Sequence, residues 1–212
     1  MSCARALALA AALFVFAMAS PAAPADAAAG QAFAPALDNA ALLIIDIQNF
    51  YFEGGRIPLA GSVEASLKAK QVLEAFRAAE RPVIHIRHMP KKDPATADPQ
   101  YAFHSNVTPI QGETVVIKHF ANAFRETDLA PRLKALGVKT LVICGMQTQM
   151  CVEAAVRNAA DLGYDVILVE DACATRDLVF GGTTVPARLV HTAVLAAMNG
   201  TYAKIVTAGA LK

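Results

Sequence analysis

Cys151 sits in the stretch Gly145-Met-Gln-Thr-Gln-Met-Cys-Val-Glu-Ala-Ala, just past an apolar run over residues 140–144 and at the start of a helix-like one. A thiol in the first turn of a helix feels the positive end of the helix dipole, which favours thiolate over thiol and makes a nucleophile. A lone cysteine is more often inert packing, so the reading depends on partners. Ala41-Leu-Leu-Ile-Ile-Asp46 and Thr114-Val-Val-Ile-Lys118 are two short apolar runs, each stopping on a charge. Continuous apolarity is the pattern of a strand buried on both faces, and open parallel sheets bind ligands outside the carboxyl ends of their strands. Asp46, Lys118 and Cys151 are therefore expected along one edge of one sheet. Taken singly, Asp46 reads as well as a helix cap or a solvated strand end, and Lys118 as an ordinary surface charge. Together they form a nucleophile with an activating acid and cation.

The elements that would position these residues alternate along the chain. After Asp46 comes a turn-rich loop with Gly54-Gly55 and Pro58, then a helix over residues 63–79. Residues 81–87 read as a second strand, residues 90–112 as a long irregular loop of the kind that often carries function, and Lys118 closes the third strand. A helix over 127–136 ends at Gly137, and residues 140–144 form the fourth strand. The Cys151 helix runs to about Leu162 and stops at Gly163, followed by a fifth strand over 164–169, a helix over 185–198 and a sixth strand over 204–207. Strands alternating with helices imply a parallel sheet covered on both faces, with right-handed crossovers. No Gly-x-Gly-x-x-Gly follows any strand and no Walker-type lysine is present, which removes support for a nucleotide-binding version of this architecture.

The first residues read as a targeting segment. Arg5 supplies a short positive region, residues 6–19 an apolar one of about fourteen residues, and Ala17-Met-Ala19 or Ala25-Asp-Ala27 a small-residue cleavage site. The apolar run is short for a membrane span. Residues 1–27 are thus expected to be a signal peptide and 28–212 a single domain, placed in the periplasm or secreted, with no membrane association after signal removal. A formal net charge of +1 and no long basic run give no electrostatic case for nucleic acid or an anionic membrane. Three cysteines follow the signal, at 144, 151 and 173; the odd count leaves a free thiol or an intermolecular bridge, and no spacing reads as a disulfide scaffold. Cys144 falls within a buried strand pattern and reads as packing.

Four blocks carry a resemblance: Asp46-Ile-Gln48-Asn49-Phe-Tyr-Phe-Glu-Gly-Gly, Lys118-His-Phe-Ala-Asn-Ala-Phe, Gly145-Met-Gln-Thr-Gln-Met-Cys151-Val and Asp171-Ala-Cys-Ala-Thr-Arg-Asp177. In that order they resemble the isochorismatase-like cysteine hydrolases, over nearly all of residues 40–208. The resemblance implies a three-layer α/β/α fold with a six-stranded parallel sheet in order 3-2-1-4-5-6, and Asp46, Lys118 and Cys151 as a catalytic triad. It also implies a cis peptide at Met146-Gln147, an oxyanion hole from the Gln147 and Cys151 amides, and a homo-oligomer. The physical reading accommodates the triad, because strands 1 and 3 lie about 10 Å apart and a long lysine can close that gap over the end of strand 2. Phe50, Tyr51, Phe120 and Phe124 follow the strand ends and could line an apolar substrate pocket, or could equally be core packing.

Departures from the family pattern bear on substrate. Nicotinamidases of this superfamily carry an Asp-x-His metal signature after the second strand; Arg87-His88-Met89 stands there instead. His85 and His88, three apart on a strand, point to opposite faces and make no metal pair. Neither a metal nor another cofactor is expected. Relatives often have His where Gln149 stands and Asn-Ser-Phe where Asn122-Ala-Phe stands. The favoured function is hydrolysis of a small amide or related C–N bond through a thioester on Cys151, with a small molecule as the only partner besides copies of the chain. A cofactor-free vinyl-ether hydrolase and a non-catalytic binding protein on the same fold are the alternatives.

The signal reading is directly testable: the mature chain should begin between Ser20 and Ala28 when native material is sequenced from its N-terminus. Intact Met1 on cytoplasmic protein would overturn it.

Overall fold

The computed structural model describes residues 39–91 and 98–211; the expected signal segment lies outside them. Six strands form one parallel sheet: β1 (Ala40–Ile45), β2 (Val83–His88), β3 (Thr114–Lys118), β4 (Thr140–Met146), β5 (Asp165–Ala174) and, last in the chain, β8 (Lys204–Val206). Their order is β3-β2-β1-β4-β5-β8, the expected topology with β8 as its sixth strand. Helices α1 (Ser62–Ala78), α2 (Leu129–Ala135), α3 (Glu153–Asp161) and α4 (Ala187–Met198) flank it. Among the described residues no helix is long and apolar enough to cross a membrane.

Burial follows position in the sheet. Every residue of central β1 is buried, whereas edge strand β3 alternates, with Val116 and Lys118 inside and Val115 and Ile117 exposed. α1 buries Ala65, Ala69, Val72, Leu73 and Phe76, a helical spacing that gives one apolar face for the sheet. The chain passes from α1 to β2 through Glu80, in the left-handed region at φ 51°, and the Arg81-Pro82 step that no helix can continue.

Two local features depart from expectation. β5 runs on to Ala174, past a register shift against β4 between Ile143 and Gly145. The expected helix over 185–198 starts only at Ala187, because Val185 closes a small antiparallel hairpin of β6 (Leu178–Phe180) and β7 (Thr183–Val185). Gly181 and Gly182, at φ 57° and 77°, make its two-residue turn, the positive-φ pair that lets two strands reverse without splaying.

A partly buried polar knot ties α1 to the β2–β3 edge. Arg77 Nε and Nη2 donate to the two oxygens of Glu113 at 2.7 and 2.8 Å, His85 Nε2 lies 2.8 Å from Oε2, and the Ile110 amide donates to the same oxygen at 3.0 Å. Burial works against the Glu113 charge, yet these donors, led by Arg77, hold its carboxyl at about 2, below the ordinary 4.5. Because the folded value is depressed, this stabilisation is present above the unfolded carboxyl's pKa and is lost as pH falls towards 2. Glu113→Gln should therefore unfold more easily at pH 7, by up to about 3 kcal/mol, and by clearly less at pH 3.5 in urea titrations. A difference independent of pH would refute this.

Candidate active site

The carboxyl ends of β1, β3 and β4 converge on one point. Asp46 is the first residue past β1, Lys118 the last of β3, and Cys151 lies in a wide π-helical turn, Thr148–Val152, between β4 and α3. Lys118 Nζ stands 2.7 Å from Asp46 Oδ2 and 3.3 Å from Cys151 Sγ. Asp46 and Lys118 are wholly buried and Cys151 is 5% exposed, so the three sequence-expected residues meet across a span that includes β2.

The backbone aims them. Asp46 has φ 48°, the left-handed region that aspartate tolerates better than most residues. Its amide still pairs with Ile86 O at 3.1 Å, so the turn away from the strand happens within one residue. Gln48 is the buried staple behind it: its Oε1 accepts from the His88 amide at 2.8 Å, and its Nε2 donates to His88 O and Tyr101 O at 3.1 and 2.8 Å. On the other side Gly145 lets β4 approach β1, since a Cβ there, at φ 134°, would fall 2.0 Å from Ile45 O. The peptide Met146-Gln147 is cis, at the position the resemblance indicated.

The electrostatics correct one expectation. The dipole argument favours a thiolate at Cys151, but the thiol is pushed up to about 12, first by burial and then by the Asp46 charge, with Lys118 pulling against both. Cys151 rests as a thiol because a buried site next to a carboxylate penalises a second anion more than a helix start rewards it. Burial pulls the Lys118 pKa down, yet Asp46 and Cys151 outweigh it and the net direction is up, so its ammonium stays charged. That ammonium also donates to Phe120 O at 3.0 Å and to His88 Nδ1 at 3.1 Å. Burial, then Lys118, lowers the His88 pKa, leaving a neutral ring that accepts at Nδ1, since a lysine can only donate. Neither oxygen of Asp46 receives a directed hydrogen bond from any described residue. The carboxylate is therefore held by charge alone.

Asp46, His88 and Cys151 each offer one metal-ligand atom, and the three atoms lie within 4.8 Å of one another. The Lys118 ammonium touches all three groups, so the chain itself supplies the cation that this donor set would attract. His85 is turned elsewhere, to Glu113.

Above the thiol opens a cavity of about 400 Å³. Phe50, Tyr51, Ile57, Tyr101 and Met150 make its apolar walls, and Arg56, His88, Gln147 and Arg176 its polar ones. Phe50 and Tyr51 thus lie where the sequence placed them. Phe120 and Phe124 do not line it. Phe120 stacks under Lys91 and Arg125, at 4.4 and 3.8 Å from its ring, and Phe124 packs partly buried against the core. Of the residues that follow β3, Ala121 lines the pocket instead. Tyr101 and Arg56 escaped the sequence reading; Tyr101 lies in the long loop between β2 and β3, whose length was the one signal that it carries something.

Removing the Asp46 charge should separate thiol acidity from turnover. Asp46→Asn should lower the Cys151 pKa from about 12, because it removes the charge that helps raise it while Lys118 stays. Lys118→Met should raise it. Thiolate absorbance against pH reads both; a rise or no change in Asp46→Asn would contradict the assignment of causes.

Comparison with known proteins agrees with this geometry. The isochorismatase domain model matches residues 40–209. The Bacillus subtilis isochorismatase family protein YddQ is 43% identical over 173 residues, 79% of this chain and 95% of its own. Maleamate amidohydrolase of Pseudomonas putida is 33% identical over 64% of this chain and 72% of its own. The crystal structure of an isochorismatase from Pseudomonas putida superposes with a TM-score of 0.79 at 36% identity, over 83% of this chain and 91% of the other. With sheet order and sequence in agreement, the chain belongs to the isochorismatase-like family of hydrolases.

Proposed function

We propose that this hydrolase cleaves a small amide or related C–N bond through a thioester on Cys151. The observation that carries the reading is the contact of one buried ammonium with both a protonated thiol and an otherwise unsatisfied carboxylate, at the floor of a pocket large enough for a small molecule. The amidohydrolase named among the relatives supports the same bond type.

With the thiol pushed up to about 12, the nucleophile must be made during the reaction. Asp46 takes the Cys151 proton as sulfur adds to the amide carbonyl carbon, and the carbonyl π pair moves to oxygen. The Gln147 and Cys151 amides are the proposed donors to that oxyanion, a device worth roughly 3 kcal/mol per donor. Lys118, charged throughout, offsets the negative charge that Asp46 and sulfur exchange. The C–N bond then breaks, its pair going to nitrogen, which takes the proton from Asp46 and leaves as an amine or ammonia. A water molecule gives a proton to Asp46 and adds to the thioester as hydroxide. The C–S bond breaks, sulfur recovers the proton, and the acid departs, so the sum is amide plus water to acid plus amine.

The test is mass spectrometry of the protein quenched during turnover of a panel of small amides. The expected result is an acyl adduct on Cys151 that disappears as acid accumulates. It should be absent in Cys151→Ala, with turnover reduced at least about 100-fold in Asp46→Asn. Cys144→Ser and Cys173→Ser should keep the adduct, both side chains being buried. Normal turnover by Cys151→Ala would overturn the thioester route and favour vinyl-ether chemistry or another pocket.

A further inference from the structure

The rings of Tyr51 and Tyr101 belong to the apolar wall of the pocket, but each carries a hydroxyl whose hydrogen bonding has a fixed direction. Arg56 Nη1 donates to Tyr101 Oη at 3.0 Å. An arginine can only donate, so the phenol oxygen accepts and its own proton turns elsewhere. Asp98, 2.6 Å from Arg56 Nη2, holds that guanidinium in place. Gln48 Nε2 and Arg87 Nε donate to Tyr101 O at 2.8 and 2.9 Å and fix the backbone that carries the phenol.

Tyr51 ends a longer chain of donors. The Thr175 hydroxyl donates to Gln149 Oε1, Gln149 Nε2 to Gln147 Oε1 at 2.9 Å, and Gln147 Nε2 to Tyr51 Oη at 3.4 Å. Arg176 Nε, 3.4 Å from the same Gln147 oxygen, leaves that amide no other orientation. Bonds that all point one way polarise one another, so the Tyr51 hydroxyl is a stronger donor than an isolated phenol. No acceptor for either phenol proton is found among the described residues, although both side chains are buried. A buried donor without a partner is unfavourable, and the space that both tyrosines border is the cavity over Cys151. Phe50 braces the two, its ring centroid 4.1 Å from that of Tyr51 and 5.6 Å from that of Tyr101. Burial and then the Asp46 charge push the Tyr51 pKa up, so its hydroxyl keeps its proton, and the same charge disfavours a second anion beside it.

We propose that Tyr51 and Tyr101 are paired hydrogen-bond donors that bind an uncharged carbonyl oxygen on the acyl part of the substrate, with Arg56, Gln147, Gln149 and Thr175 as positioning residues. A carbonyl oxygen has two lone pairs and no proton of its own, which suits two donors. A substrate hydroxyl or ammonium would bring a further donor to a wall where Gln147 Oε1 and both phenol oxygens already accept. The inference rests on the reading of Cys151 as the acylated group and adds the substrate class: a small amide whose acyl chain carries a second carbonyl. Hydrolysis of such an amide releases ammonia or an amine and an oxo acid.

Calorimetric titration of Cys151→Ala, in which no thioester can form, reads binding without turnover. Each oxo amide is paired with a probe in which C=O is replaced by CH–CH3: 3-oxobutanamide with 3-methylbutanamide, and 4-oxopentanamide with 4-methylpentanamide. In at least one pair the oxo amide should bind at least about tenfold more tightly, a difference of about 1.4 kcal/mol. Adding Tyr51→Phe or Tyr101→Phe should lower that ratio about threefold each, and both together should bring it to about one. The methyl amide should bind as before in all of them, which a loss of pocket structure would not allow. Gln149→Leu and Thr175→Val should weaken the oxo amide and spare its methyl partner. A ratio near one in both pairs, no measurable binding of any probe, or an unchanged ratio in the double tyrosine variant overturns the proposal. So does tighter binding of succinamate than of either oxo amide, which would make charge the selector. The thioester reading fails separately, by absence of an acyl adduct on Cys151 with any amide.

Discussion

A buried ion pair between Asp46 and Lys118, 2.7 Å long with both side chains wholly out of water, is the constraint around which the rest of the site is arranged. Taking two charges out of water costs several kcal/mol each, and losing either partner leaves an uncompensated charge worth roughly 3–5 kcal/mol of destabilisation. A hydrophobic pair would fill the same space more cheaply. In the proposed mechanism the pair makes physical sense as stored polarity: a carboxylate without directed donors stands beside a thiol that burial keeps protonated.

Holding that pair requires an inflexible frame. Asp46 and Lys118 come from β1 and β3, with β2 between them, so their contact depends on both strands ending at the same height over the sheet. The parallel registers Ile45↔Ile86 and His88↔Lys118 set that height, and Gln48 locks it by bonding the β2 end and the following loop at once. Gly145 does the corresponding work on the other flank, where the β1–β4 approach leaves no room for a side chain. The turn carrying Cys151 is thereby fixed against β1 before α3 begins, and the geometry of the proposed site becomes a property of sheet register rather than of loop conformation.

Much of this was legible in the chain. Short apolar runs ending in Asp46 and Lys118, and a cysteine opening a helix after a third run, suffice to place three residues on one sheet edge, because parallel strands deliver their carboxyl ends to the same side. The sheet order came with the family resemblance. The β6–β7 hairpin was also written in the sequence, as Gly181-Gly182 between β-prone residues, but its strands are three residues long and a helix signal begins directly after them. Short elements lose to longer neighbours when periodicity is the guide.

By itself the sequence determined which residue types end which strands, and hence that an acid, a cation and a thiol share an edge; periodicity carries that information locally. Only the tertiary structure decided the protonation of the thiol, because a pKa depends on burial and on charges brought from distant segments, here Asp46 and Lys118. It likewise decided that Phe50 and Tyr51 face the pocket while Phe120 and Phe124 do not, and that Arg56 pairs with Asp98. Those outcomes rest on distances between residues tens of positions apart, which no local pattern of the chain encodes.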